Sequence, residues 1–125
     1  MTTKPVSTKI RLRNFIQTMN IQDMVAELIF LKENTPQRKK LLLETISSTP
    51  ILDEEVEIQD WLESLKLCQQ NNFFPGAIST KINEIIELIN TTPYLDPFLN
   101  QICKSDQMPP KLRKAACEKS KKNHR

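Results

Sequence analysis

Apolar residues recur at helical spacing along nearly the whole chain. Ile58, Trp61, Leu62 and Leu65 stand at positions i, i+3, i+4 and i+7, which share one face of an α-helix. Similar stripes occupy residues 12–19, 21–28, 78–89 and 95–102. The pattern predicts an all-α fold, a compact right-handed array of about six helices that are joined as helical hairpins.

Residues with capping side chains indicate where several of these helices begin. Asn20 precedes one apolar stripe, and Thr35 and Asp96 each precede a Pro, which is favoured at the first helical position. Asp53 is predicted to cap the helix that begins after it. The stretch NNFFPG at 71–76 is the clearest predicted loop.

Two pairs of segments in the chain resemble each other. IQDM at 21–24 matches IQDW at 58–61, and TPILD at 49–53 matches TPYLD at 92–96. A period near 40 residues is typical of stacked HEAT or armadillo hairpins, although helices joined by Thr-Pro turns also recur by composition alone. In either case Trp61 stands at the position that corresponds to Met24 in the first segment, which favours a place for Trp61 in the core.

Charge is distributed unevenly along the 125 residues. The net charge is +3, but residues 1–13 carry four basic residues and no acid, whereas residues 111–125 carry seven basic residues and one acid. We therefore predict a single helical domain at 1–110 and a basic C-terminal tail at 111–125. Such a tail is typical of a nuclear import signal, of a phosphate contact or of a solubilising helix end. Its two clusters consist of Lys111, Arg113, Lys114, Lys119, Lys121 and Lys122.

Residues that could carry out catalysis or bind a metal ion are scarce. The only His is His124, beside the C-terminus, so that no Ser-His or Cys-His dyad is expected in a packed core. The carboxylates at 53–60 are typical of a helix start, where the helix dipole favours negative charge. We predict no enzymatic activity, no cofactor and no metal site.

The cysteines and the hydropathy pattern bear on location. Cys68, Cys103 and Cys117 are an odd number without metal-type spacing, and we interpret them as small, half-buried thiols in a reducing compartment. No apolar run is long enough for a transmembrane helix, and the N-terminus lacks the apolar stretch of a secretory signal. We therefore predict an intracellular protein that does not bind membranes.

Some apolar residues exceed what a helix face can bury on one neighbour. Residues 28–31 (LIFL) are consecutive, and several aromatic residues lie in or near predicted turns. Aromatic residues at such places either close the core or line a docking groove. The candidate partner-binding residues are Trp61, Leu65, Leu88, Tyr94 and Phe98.

The order of features from about residue 20 to residue 104 resembles a known family. A helix with Ile58, Trp61-Leu62 and Leu65-Lys66 is followed by CQQNNFFPGAIS, by KINEIIELINTTPYLD and by FLNQICKS. This order is similar to the N-terminal domain family of transcription elongation factor S-II, with versions in the Spt-six-binding elongation factor and the nuclear targeting subunit of protein phosphatase one. The resemblance implies an all-α nuclear module that docks short segments containing a Phe flanked by acids, in a groove near the Trp-bearing hairpin.

These observations lead to an expected function and two alternatives. We expect a protein–protein interaction module, a nuclear scaffold linked to transcription that docks a short motif or helix of its partners; a second copy is a possible partner too. The first alternative is a lineage-specific or viral helical adaptor that binds a host or self partner. The second is a nucleic-acid-binding protein that acts through its basic termini, with an affinity that falls as salt is added.

Overall fold

The fold is built from α-helices. The computed structural model describes residues 19–31 and 33–123, and within them it contains six α-helices, one short 3₁₀ helix and no strand. The prediction of an all-α array of about six helices is confirmed. The basic residues of 1–13 and most of the stripe at 12–19 lie outside the described residues. The elements are α1 (Ile21–Phe30), α2 (Pro36–Ser48), α3 (Glu55–Gln70), α4 (Gly76–Thr91), the 3₁₀ helix (Asp96–Phe98), α5 (Leu99–Lys104) and α6 (Pro110–Asn123).

Two of the predicted helix caps are confirmed. The side chain of Asn20 accepts a hydrogen bond from the N–H of Asp23 at 2.8 Å, and the hydroxyl of Thr35 accepts one from the N–H of Arg38 at 3.1 Å. Each bond satisfies a backbone donor that has no partner within its own helix. The starts of α1 and α2 are therefore determined locally.

Two other predicted caps are wrong. The residue that precedes α3 is Glu54 rather than Asp53, and its side chain makes no capping bond. Asp96 lies inside the 3₁₀ helix instead of capping a helix that begins at Pro97. At the start of α3 the acidic first turn complements the helix dipole without a cap.

The helices pack mainly against the helix two positions along the chain. α1 packs against α3, α2 against α4, and α4 against α6, while α1 also contacts α2, and α5 packs along α6. Most of these contacts therefore skip one helix along the chain, and the apolar stripes of the helices face a shared core. Its largest fully buried side chains are Trp61, Leu42, Ile46, Leu62, Leu65, Ile78, Ile85, Ile89, Leu95, Ile102 and Met108.

The two IQD segments belong to helices that pack against each other. Met24 of α1 and Trp61 of α3, which occupy matching positions, are 3% and 1% exposed. Trp61 is thus a core residue, as its correspondence to Met24 predicted. The origin of the two segments by duplication stays a prediction.

A buried lysine lies over Trp61. Lys81 is 2% exposed, and its Nζ lies 5.4 Å from the centre of the Trp61 ring, within the range of a cation–π interaction. The same Nζ donates hydrogen bonds to the Thr49 carbonyl at 2.6 Å and to the Glu84 carboxylate at 2.9 Å. Because Thr49 is the residue that follows the last residue of α2 and caps it, Lys81 places a positive charge at the negative end of that helix and connects α4 to α2.

Replacing Lys81 with Met should lower the free energy of unfolding by about 1.5–3 kcal/mol, because Met preserves the bulk of the stem but leaves the Thr49 carbonyl without its charged donor. Urea unfolding followed by circular dichroism measures the loss. Lys66→Met is the matched control, because Lys66 pairs with Glu63 at the same three-residue spacing but lies nearer the surface, where such pairs contribute less than about 1 kcal/mol. Equal losses in the two variants would contradict the assigned contribution of Lys81.

The prediction of three free thiols is wrong for two of the cysteines. Cys103 in α5 and Cys117 in α6 form a disulfide, with their Cα atoms 4.9 Å apart, because α5 and α6 lie side by side. Cys68 is free and buried. Disulfides persist mainly in oxidising compartments, so this one weighs against the reducing location that was predicted from the cysteines. The intracellular and nuclear location stays a prediction.

None of the described helices has both the length and the apolar character needed to cross a membrane.

The most polar of the described helices is α6, which contains most of the predicted basic tail. It packs against α4 and α5 and buries Leu112, Ala115 and Ala116. Up to Lys122, the sequence assigned to the tail is therefore part of the helical fold, with its buried face in the core. The exposed residues of α6 that follow Pro110 are Lys111, Lys114, Glu118, Lys121 and Lys122.

Candidate functional site

A groove lies between the start of α1, the end of α2 and the first half of α3. Its volume is about 740 Å³. Met19, Met24 and Val56 contribute apolar surface to it. We call this surface the acidic groove, because its charged residues are Glu55, Glu57, Asp60 and Glu63.

The carboxylates come from the first turns of α3. Glu55 and Glu57 are in the first turn, where the positive end of the helix dipole favours negative charge. Asp60 and Glu63 follow Glu57 at intervals of three residues, so their side chains project from neighbouring positions of the helix surface. The local sequence of α3 is therefore sufficient to make one side of the groove acidic.

Asp60 holds α1 against α3. Its carboxylate accepts hydrogen bonds from the backbone N–H groups of Ile21 at 2.8 Å and Gln22 at 3.2 Å. These are two of the four N–H groups that a helix start leaves unsatisfied. Because α1 and α3 form two sides of the acidic groove, Asp60 determines its shape.

Two carboxylates of the acidic groove are available to a ligand. Glu63 pairs with Lys66 at 3.1 Å, whereas Glu55 and Glu57 make no ion pair with any described residue. Over the same part of the chain, no Lys or Arg lines the groove. The groove therefore presents a negative potential beside apolar surface, which favours a ligand that carries both positive and apolar groups.

Val56 is the most exposed of the large apolar side chains that the structure describes, at 78%. It stands two residues before Ile58, which is buried, so it projects from the opposite side of α3. It lies at the rim of the acidic groove between Glu55 and Glu57. The departure of Val56 from the apolar stripe is visible in the sequence, but the sequence analysis did not recognise it as a surface feature.

The five candidate partner-binding residues are divided between the core and the surface. Trp61, Leu65 and Phe98 are buried, at 1%, 0% and 9% exposed, whereas Leu88 and Tyr94 are half-buried. Tyr94 and Phe98 line the same cavity, but the other three do not join them there. Trp61 has no edge exposed to a groove, so a partner could contact mainly Leu88 and Tyr94. That these two residues bind a partner stays a prediction.

The cavity beside Tyr94 lies on the other side of the first turn of α3 and has a volume of about 380 Å³. Asp53 lines it, and Glu55 borders both this cavity and the acidic groove. The hydroxyl of Tyr94 donates a hydrogen bond to the carbonyl of Ile51 at 2.6 Å. Burial, and then the charges of Asp53 and Glu54, raise the pKa of Tyr94. The neutral hydroxyl therefore anchors the segment that leads into α3.

A second exposed apolar pair lies at the far end of α1. Phe30 and Leu31 are 56% and 53% exposed, which agrees with the apolar excess predicted at 28–31. The pair is separated from the acidic groove by the length of α1, about 15 Å. It follows that the two surfaces are distinct.

The described residues contain little that could support catalysis. Cys68 is the free thiol of the described chain, and burial raises its pKa to about 12, so the reactive thiolate does not form near neutral pH. No group of three His, Cys, Asp or Glu residues in this part of the chain is placed to hold a metal ion. His124 lies outside the described residues. The absence of enzymatic activity stays a prediction.

No protein-family model matches this chain, and comparisons with curated proteins and with solved structures found no significant match. The resemblance to the N-terminal domain of transcription elongation factor S-II therefore stays a prediction. The chemistry of the acidic groove is the observation from which a function can be inferred.

Proposed function

We propose that this protein is a protein–protein interaction module whose acidic groove docks a basic, apolar segment of a partner. The observation that carries the proposal is the position of Val56, which is 78% exposed between the unpaired carboxylates of Glu55 and Glu57. An apolar side chain in this position contributes little to folding. A segment that covers Val56 and places Lys or Arg beside the two carboxylates would gain from both contacts.

The dimensions of the groove suit a short segment of chain. Its volume of about 740 Å³ falls within the usual range for ligand sites. It lies between packed helices and is open along the first turns of α3. Grooves between helices bind amphipathic helices by their apolar face, so we propose a short helix with basic residues at its edges as the ligand.

The proposed ligand differs from the one that the resemblance implies. A segment whose Phe is flanked by acids would bring like charges against Glu55 and Glu57, which is unfavourable. A nuclear scaffold linked to transcription is the narrower proposal and rests on the resemblance alone. A lineage-specific adaptor would use the same groove.

Selection from a random peptide library tests the proposal. The selected peptides should be enriched in Lys and Arg next to Leu, Ile or Phe. Replacing Glu55 and Glu57 together with Lys should weaken their binding at least about tenfold, because two attractions become repulsions. Fluorescence anisotropy with a labelled peptide from the selection measures the affinity.

The matched control makes the same change of charge elsewhere. Glu87 in α4 and Asp106 in the loop before α6 are exposed and do not line the acidic groove, so replacing both with Lys should leave the affinity within about twofold. Peptides enriched in acids, or equal weakening by the two double variants, would contradict docking in the acidic groove.

A further inference from the structure

A separate apolar pocket lies at the opposite end of α3, where the end of this helix meets α4 and the start of α6. Its volume is about 320 Å³. Phe74, Ile82, Pro109 and Pro110 form apolar walls, and Lys111 borders them. No carboxylate is among the described residues that line the pocket. We call this feature the apolar pocket.

The surface beside the apolar pocket is basic. Lys111 and Lys114 are exposed in the first turns of α6, and Lys121 and Lys122 are exposed further along it. None of these lysines pairs with a carboxylate of the described residues. Glu118 is the one exposed acid of α6, and it lies two turns beyond Lys111. Lys111 borders the pocket itself, and the exposed side chains of α6 from Lys111 to Lys122 have a net charge of +3.

The start of α3 and the residues just before it combine negative charge with exposed apolar side chains. Val56 is 78% exposed and Leu52 is 44% exposed. The stretch 52–57, which we call the acidic knob, contains four acids and no basic residue. One molecule thus carries both an apolar projection among carboxylates and an apolar pocket among lysines.

We infer that the acidic knob of one copy docks into the apolar pocket of a second copy, so that the protein assembles head to tail. Val56 and Gln69, which mark the two surfaces on α3, are separated by about 20 Å along the helix axis and cannot meet within one molecule. The contact joins two different surfaces, so it generates chains or rings instead of a closed two-fold dimer.

A second copy matches this surface better than a nucleic acid does. Phosphates would satisfy the lysines of α6, but they offer no apolar group to fill the pocket beside Phe74. The acidic knob supplies both the negative charge and the apolar side chain of Val56. A second copy therefore matches this surface in both charge and apolar contact, whereas a nucleic acid matches it in charge alone.

Sedimentation velocity of the wild-type chain over a wide range of concentrations is the first test. At a low ionic strength of about 25 mM, the average mass should rise with concentration beyond that of a dimer. It should fall toward the monomer at about 300 mM salt, because attraction between surface charges is screened. A wild-type chain that remains monomeric at low salt overturns the inference.

Charge reversal provides the decisive variants. A knob variant carries Glu55→Lys and Glu57→Lys, and a pocket variant carries Lys111→Glu and Lys114→Glu. Each should be monomeric alone, because the knob variant has lost the net negative charge of its knob and the pocket variant places acids at its pocket opposite an acidic knob. An equimolar mixture should assemble again, because the unchanged knob of the pocket variant fits the unchanged pocket of the knob variant, and the two introduced lysines meet the two introduced glutamates at the other contact. Circular dichroism confirms that each variant is folded.

The remaining outcomes separate this inference from its rivals. Replacing the exposed Lys39 and Lys40 of α2 with Glu makes the same charge change away from both surfaces and should leave assembly intact. Assembly that persists in the knob or pocket variant, or a mixture that stays monomeric, overturns the inference. So does a wild-type monomer that binds single-stranded RNA through Lys111 and Lys114. The acidic knob includes Glu55, Val56 and Glu57 of the acidic groove, so self-assembly and peptide binding compete for these residues. The pocket variant retains all three without assembling, so its binding of the selected peptides tests the proposed function separately.

Discussion

Replacing Trp61 with Ala is expected to lower the free energy of unfolding by about 3–5 kcal/mol. Trp61 is 1% exposed and packs in the core beside Leu62 and Leu65, which are fully buried. Close-packed neighbours relax only partly around a deleted ring, so a cavity remains. The change also removes the ring that lies 5.4 Å from the Lys81 ammonium. Urea unfolding followed by circular dichroism gives the loss as a shift of the midpoint.

Trp61→Phe is the matched variant for this experiment. The Nε1 of Trp61 is buried without a hydrogen-bond partner, so Phe sacrifices no hydrogen bond and should lose less than half as much stability as Ala. It also keeps the test measurable, because a domain that is stable by about 5–15 kcal/mol can be largely unfolded by the Ala change. Val56→Ala, at the surface, should change stability by less than about 0.5 kcal/mol. A Trp61→Ala variant as stable as Val56→Ala would contradict the placement of Trp61 in the core.

Reduction of the disulfide between Cys103 and Cys117 is expected to lower the free energy of unfolding by about 3 kcal/mol, the loss of chain-entropy stabilisation for a closed loop of about 15 residues. The sequence separation is 14. The disulfide joins α5 to α6, and α6 buries Leu112 and Ala116 in the core, so reduction should weaken the attachment of α6 first. Urea unfolding with and without dithiothreitol measures the loss, and hydrogen exchange locates it.

Two variants check that the effect comes from this disulfide. Replacing Cys103 and Cys117 together with Ser should give a chain whose stability does not respond to dithiothreitol. Cys68→Ala should retain the full response to dithiothreitol, because Cys68 is free, although it loses some stability through its buried position. Detection of three free thiols by mass spectrometry of the unreduced chain would contradict the disulfide. It would also restore the case for a reducing compartment.

The helices themselves were predictable because their signals are local. The stripe from Ile58 to Leu65 and the caps at Asn20 and Thr35 depend on residues within one or two turns, and the structure confirms them. The polar character of α6 concealed its packing, because only small or isolated apolar residues such as Leu112 and Ala116 form its buried face. Its composition resembled a tail, although its contacts are those of a core helix.

The candidate site was predictable only in part. The acids of 53–60 were assigned to a solvated helix start, which is locally correct for Glu55 and Glu57. The groove itself exists because Met19 and Met24 approach α3 from another part of the chain. Lys81 was also missed, although a charged residue three positions after Ile78 on a buried stripe is a recognisable signal.

By itself, the sequence determined the all-α class, the starts of α1 and α2 and the burial of Trp61, because helical periodicity and capping act over a few residues. Only the tertiary structure decided which carboxylates remain unpaired, which cysteines meet and which apolar side chains stay exposed. These properties depend on contacts across long separations, such as Asp60 with Ile21, 39 residues apart, and Lys81 with Thr49, 32 residues apart. No local pattern encodes such distances, so the acidic groove and the apolar pocket became visible only when the helices were packed together.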